Sequence, residues 1–279
     1  GSEMCIRDRS NEEKRLIKPF YTTNELHRYY GSQKNTLWLI YTDSSFKYYE
    51  NIKPYPRIKS HLDRFKDIIS SDNKPYGLHR ARDERFFRGE KIISLRKCIN
   101  PTFTYTDFDC YVSQTFFVIK TSRINQKYLT AILNSELIAF WLKYKGKMQG
   151  DNYQIDKEPL LGLPIFILKN VKPFEIVVDY ILFLKSQPTD KMSFYFEQLI
   201  DGIVYELYFE NEIKQAGCDI LKYLNDLPEI TEEMEDEEKM KIITKIFNKL
   251  YDKESPVRKN LFFMDSVEEV AIIKKSLEK

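Results

Sequence analysis

The chain has 279 residues, 42% hydrophobic and 31% charged, with 19 Tyr, 19 Phe and only 9 Gly; this suits one large domain or two small ones and excludes long disorder. Its net charge of +2 is unevenly divided, with an excess of nine positive charges over residues 1–165 and of seven negative charges over residues 166–279, so the first part is the one suited to meet a polyanion. No apolar run is long enough for a membrane span and no signal-peptide pattern opens the chain, and four scattered cysteines without CxxC spacing fit a reducing cytoplasm.

Residues 1–10, GSEMCIRDRS, read as tag or adapter sequence and are set apart. Residues 11–170 read as a mixed, β-rich domain. The apolar run LWLIY at 37–41 suits a buried strand, as do 91–96 and 114–119. Phe103 and Tyr105 alternate with Thr102 and Thr104 as on a half-buried strand, and a turn is expected at 107–109. Two helices interrupt the strands. One is expected over 57–69, with Ile58, Leu62, Phe65 and Ile69 at helical spacing. The other is expected over 125–143, with Leu129, Ile132, Leu133 and Ile138 on one side and Asn125 as its cap. Pro159 and Pro164 mark a change of character. Residues 171–279 read as helical, with candidates at 174–184, 193–209, 212–224, 233–251 and 267–277 separated by Pro188, Pro228 and Pro256. The fold class expected is α+β, a mixed sheet with inserted helices followed by a mostly helical region.

The motifs of intrinsic chemistry are missing. There is no GxGxxG or GxxxxGK[ST] loop to cradle phosphates, and no Gly-rich loop for S-adenosylmethionine. The single Asn-Pro pair, Asn100-Pro101, is followed by Thr102 rather than a second proline and reads as a turn. His27, His61 and His79 lack ligand spacing and each has a basic neighbour, so a surface or backbone-contacting role fits them better than a metal. Cys5, Cys98, Cys110 and Cys218 have no CxxC spacing, so neither a zinc site nor a disulfide framework is expected. Asp83-Glu84, Asp107 with Asp109, and Glu206 lack the carboxylate-x-lysine arrangement of a metal-dependent nuclease. No catalytic, cofactor-binding or metal-ligating residue is therefore assigned to this chain.

Two basic segments remain. From Lys74 to Lys97 there are eight basic residues against three acids, with Arg80, Arg82, Arg85 and Arg88 in quick succession beside His79, and Arg96 and Lys97 closing the run. The planar guanidinium fork suits phosphate oxygens and guanine edges; a solvated basic loop is the plainer alternative. Phe86 and Phe87, between the arginines, are assigned to the core. The second segment, 143–154, mixes Lys143, Lys145 and Lys147 with Gln149, Asn152 and Gln154. Lysines after a helix complement its negative pole, whereas Gln and Asn side chains pair with adenine edges; both readings stay open.

Further elements occur in order: IKPF at 17–20 with ELHRY at 25–29, LWLIY at 37–41, YPRIKSHL at 55–62, LHRARD at 78–83 before EKII at 90–93, YLTAILNS at 128–135, LLGLPI at 160–165 and LIDGIVYELY at 199–208. Those up to residue 165 resemble the TaqI-like C-terminal specificity domain of type II restriction-modification methylases over about residues 16–165, and the element at 199–208 resembles the helix that commonly ends such methylases. The resemblance implies a target-recognition domain over 11–170 that docks on duplex DNA through Arg80, Arg82, Arg85, Arg88, Arg96 and Lys97, with His79, Lys145, Lys147, Gln149, Asn152 and Gln154 as further contacts. It implies a partner catalytic domain, in cis or in trans, that carries S-adenosylmethionine and methylates adenine in a phage-defence system of a bacterial-type cytoplasm, with or without an endonuclease. A separate specificity subunit acting in trans, or a protein-interaction module without DNA binding, are the alternatives.

Overall fold

The computed structural model describes residues 10–278. In chain order its elements are α1 (Asn11–Arg15), β1 (Ile17–Tyr21), β2 (Tyr29–Tyr30), β3 (Leu37–Ile40), α2 (Tyr49–Ile52), α3 (Pro56–Asp63), β4 (Lys91–Leu95), β5 (Lys97–Cys98), β6 (Phe103–Thr106), β7 (Tyr111–Val112) and β8 (Phe116–Ile119). There follow α4 (Gln126–Leu133), α5 (Glu136–Lys145), β9 (Lys147–Gln149), β10 (Asn152–Gln154), α6 (Lys157–Leu161), α7 (Lys172–Ser186), α8 (Ser193–Tyr208), α9 (Glu210–Gln215), α10 (Asp236–Tyr251), α11 (Pro256–Met264) and α12 (Glu268–Leu277). The class is α+β with a helical C-terminal region, as the sequence implies. The reading of residues 1–10 as a tag falls almost wholly outside the described residues.

The chain folds as two units. One comprises the chain up to Leu26, Ser32–Lys91 and Thr106–Gln114. Its sheet has the order β3-β1-β7. β1 runs antiparallel to β3, from Ile17 opposite Ile40 to Phe20 opposite Leu37. Pro19 has no N–H to donate, and it is tolerated in this central strand because β7 joins only beyond it, at Phe20 and Tyr21. A small core of Ile52, Ile58 and Tyr76 lies under α2 and α3. The N-terminus of α3 has no side-chain cap of its own. The buried Glu13 carboxylate takes that place, accepting the N–H groups of Arg57 at 2.8 Å and Ile58 at 3.2 Å.

The other unit comprises His27–Gly31, Ile92–Tyr105 and Thr115–Lys279. Its larger sheet has the order β2-β6-β4-β8, with β4 antiparallel to β8 from Ile92 opposite Ile119 to Leu95 opposite Phe116. Phe103, Ile132, Val177, Tyr180, Phe196 and Ile200 are among the residues that fuse this sheet and the helices into one core. Residues 171–279 share that core with 115–170. Asn125 caps α4 through Tyr128 N–H at 2.9 Å, as its position in the sequence suggests. Arg28 is ion-paired with Glu197, donates to the carbonyl of Asn134 and lies over the Tyr29 ring. A second sheet, β5-β10-β9, completes the unit.

Several elements differ from the sequence expectation. The helix expected over 57–69 ends at Asp63, because Phe65 and Ile68 are exposed and offer no burial to hold another turn. The helix expected over 125–143 is two. Asn134 turns its side chain to the backbone of Phe103, bonding its N–H at 3.1 Å and its carbonyl at 2.8 Å, and Ser135 caps a new helix. The helix expected over 212–224 stops at Gln215, and Gly217 takes a φ of 68° that ends it. α11 went unanticipated, since its exposed Phe262 and Phe263 blur the amphipathic pattern. Phe86 is exposed rather than in the core, while Phe87 is buried.

No helix among the described residues is long and apolar enough to cross a membrane. Cys98, Cys110 and Cys218 are free and buried, and no group of three His, Cys, Asp or Glu among the described residues could hold a metal ion.

Candidate nucleic-acid interface

In the first unit the arginine-rich segment is fixed by its backbone, which leaves side chains directed outward. Leu78 N–H bonds the carbonyl of Thr42 at 3.0 Å, the Asn73 amide donates to the carbonyl of Leu78 at 2.8 Å, and the Tyr41 hydroxyl donates to the carbonyl of Arg82. Gly77 is required where it stands, because a Cβ would come within 2.8 Å of Asn73 and of the Asp43 carbonyl. A single 3-10 turn, Glu84–Phe86, follows, capped by Asp83. Phe87 then stacks on Tyr111 with ring centroids 4.9 Å apart and meets the edge of Tyr41, so burial of this one ring pins the loop.

The four arginines of that segment divide into two pairs. Arg85 donates to Asp83 at 2.8 Å and Arg88 to Glu84 at 2.9 Å. Glu84 also takes the Lys18 ammonium at 2.9 Å and the Tyr111 hydroxyl at 2.6 Å. Burial pushes the Glu84 carboxyl up, but these partners outweigh it and hold it below the usual carboxylate range. Arg80 and Arg82 are exposed and their guanidinium groups make no ion pair or hydrogen bond among the described residues. His79 is exposed, with Nδ1 3.2 Å from the Asp72 carboxylate. Lys91, in the same basic run, is buried and donates to the carbonyls of Gly89 and Phe108 at 2.7 and 2.6 Å, so it holds the loop closed instead of facing solvent.

In the second unit the other expected residues come together on one sheet face. Residues directly opposite on antiparallel strands point to the same side, and the side alternates along each strand. Gln154 is opposite both Lys97 and Lys147, which makes a row across all three strands. Asn152 is opposite Gln149, two residues along on the same face. The intervening row, Cys98, Tyr153 and Met148, turns inward, with Tyr153 buried. Lys97, Lys147, Gln149, Asn152 and Gln154 therefore form one polar face. Lys97 donates to Gln149 at 2.9 Å, which orders that amide. Arg96 lies over the Phe117 ring at 4.7 Å, at the edge of the same sheet. Lys145 is exposed in the last turn of α5, just before β9.

The hairpin that carries this face is tight. Gly150 and Asp151 are its two loop residues, and Gly150 has φ 58°, the left-handed value that a two-residue hairpin loop opening on glycine requires. Behind it lies a recess of about 600 Å³ bordered by Asn100, Pro101, Lys143, Gly150 and Tyr153. Asn100-Pro101 forms part of the link between β5 and β6, with Thr102 bonded to the Asn100 carbonyl at 3.0 Å. The sequence reading missed Asp156. This carboxylate follows β10 and is 3.6 Å from the Lys147 ammonium, 3.9 Å from Arg96 and 3.2 Å from the Gln154 amide.

Chemically, the lysine-and-amide face offers donors and acceptors side by side on a rigid sheet. The arginine loop offers charge from a fixed backbone. Neither contains a nucleophile paired with a base. A family model described as the TaqI-like C-terminal specificity domain matches residues 18–165. No curated protein matches the chain. Among solved structures it is similar to the Type IIL restriction-modification enzyme MmeI in complex with DNA, at 11% identity and a TM-score of 0.46 over 97% of this chain. The chain spans about a third of that enzyme's length, 33%.

Proposed function

The chain belongs to the family of TaqI-like C-terminal specificity domains, and from that premise we propose that it recognises a sequence in duplex DNA and supplies no chemistry of its own. In this reading an adenine-specific methyltransferase domain that binds S-adenosylmethionine, in the same polypeptide or in a separate subunit of a cytoplasmic restriction-modification system, acts on the site this chain selects. The observation that carries the reading is the single face bearing Lys97, Lys147, Gln149, Asn152 and Gln154. Amide side chains pair bidentately with adenine edges and lysines with guanine edges or phosphates. Arg80 and Arg82 act as phosphate contacts from the other unit. The acidic helices after residue 166 stay off the DNA, since their charge repels phosphates.

The test is fluorescence anisotropy of the chain on a randomised duplex across a salt series. The expected result is affinity that falls linearly on logarithmic axes, with a slope of about 0.9 for each phosphate contacted. Arg82→Ala should weaken binding to all sequences alike and lower that slope by about one. Absence of binding even at low salt, or binding indifferent to salt, would favour a protein-interaction module instead.

A further inference from the structure

Asp156 stands at the N-cap position of α6, where an aspartate ordinarily accepts a backbone N–H of the first turn, yet its side chain makes no cap hydrogen bond. It turns instead toward the lysine-and-amide face. Its Oδ2 is 3.2 Å from Gln154 Nε2 and 3.6 Å from Lys147 Nζ, and its Oδ1 is 3.5 Å from Gln154 Nε2 and 3.9 Å from Arg96 Nη2. Its side chain is 19% exposed, so solvent or a ligand can reach it. An ionised carboxylate has about four acceptor sites, and these contacts are mostly too long to fill them.

We infer that Asp156 is the specificity-determining acceptor of this face, and that it reads the exocyclic amino group of a cytosine or an adenine in the major groove. The inference rests on the DNA-recognition reading above. A fixed negative charge among groups that meet phosphates lowers affinity for every sequence. It becomes an advantage only opposite a donor, and the donors that DNA presents in the major groove are the amino groups of cytosine and adenine. Gln154 takes one acceptor site at 3.2 Å, while Lys147 and Arg96, at 3.6 and 3.9 Å, hold the carboxylate in place and leave its other sites open. A base pair lacking an amino group at that point places a carbonyl or ring nitrogen against the carboxylate and is rejected.

The experiment selects a preferred duplex for the 279-residue chain from a randomised pool, then measures each single base-pair swap with the wild type, Asp156→Ala and Asp156→Asn. In the wild type one cytosine or adenine position should show a loss of about 5- to 150-fold on replacement by a base without the amino group. In Asp156→Ala that discrimination should shrink to about twofold or less, while affinity for randomised duplex rises because a repulsive charge is gone. Asp156→Asn, matched in size, should also bind randomised duplex more tightly, which separates charge from packing. The inference is overturned if Asp156→Ala keeps the wild-type preference at every position, or if both variants lose affinity for all duplexes alike, the mark of a merely positioning role. A wild type that binds no duplex defeats the recognition reading itself, a different result from retained selectivity in the variants.

Discussion

Single carboxylates do work in this chain that their sequence neighbours do not disclose. Glu206 looked isolated, yet its Oε2 accepts the N–H groups of Ile220 and Leu221 at 2.6 and 2.8 Å, which lie beyond the glycine turn that ends α9. Burial pushes its carboxyl above the usual range, more than those two N–H groups lower it. Glu206→Ala would leave both donors without their partner, at a cost of about 2 kcal/mol, read as a lower midpoint in urea. Glu206→Gln keeps an acceptor and removes the buried charge, so it should cost clearly less; equal losses for the two variants would contradict this account. The neighbouring aromatics Phe86 and Phe87 teach the same lesson. Composition says that aromatics are buried, and only the packing of Phe87 between Tyr41 and Tyr111 decides which of the two it is.

Among elements, the β9–β10 hairpin carries most of the proposed face and was the least legible. Its strands are three residues each, too short for an alternating pattern to stand out, and the sequence left residues 143–154 open between a helix end and a groove-entering loop. In the structure the lysines of the last turn of α5 precede a hairpin that lines up the amides. Gly150 is its pivot. A Cβ there meets nothing within 4 Å, so Gly150→Val is penalised by the backbone alone, by about 1–2 kcal/mol at positive φ. A penalty of that size should lower the melting midpoint by only about 2–6 °C, leaving the chain folded. Discrimination between DNA sequences should fall with the misaligned face; a variant as selective as the wild type would show that the hairpin does not read bases. Helices with long apolar stripes, α7 and α8, were legible in advance because burial and period agree. The break at Asn134 and Ser135 was not, because its cause is the backbone of Phe103, thirty-one residues away in sequence.

For the molecule as a whole, one buried carboxylate ties stability to pH. Asp201, on α8, accepts Glu136 N–H at 2.8 Å. Burial and then the nearby Glu136 charge push its carboxyl up to about 7, against the lowering by Arg28. The folded state therefore holds this proton more tightly than the unfolded chain. That stabilisation is complete below the ordinary aspartate range and is lost as pH rises from about 4 through about 7. Thermal melts should thus show a midpoint that declines between pH 5 and pH 7 and levels off above. Asp201→Asn should flatten that decline and melt higher than the wild type at pH 8; a parallel decline in the variant would assign the effect to other groups.

The sequence by itself determined the class of the fold, the helical character of residues 171–279, the basic first part and the residues from which a polyanion surface could be drawn. These follow from periodicity, proline punctuation and charge, all of which act locally along the chain. Tertiary structure alone decided which of those residues share a face. Lys97 and Lys147 become neighbours of Gln154 only because β5 pairs with a hairpin some fifty residues later. It also turned Asp156 away from its helix cap, buried Lys91 and left Arg80 and Arg82 exposed. The physical reason is that strand register, burial and the supply of partners for each charge are set by chain segments remote in sequence.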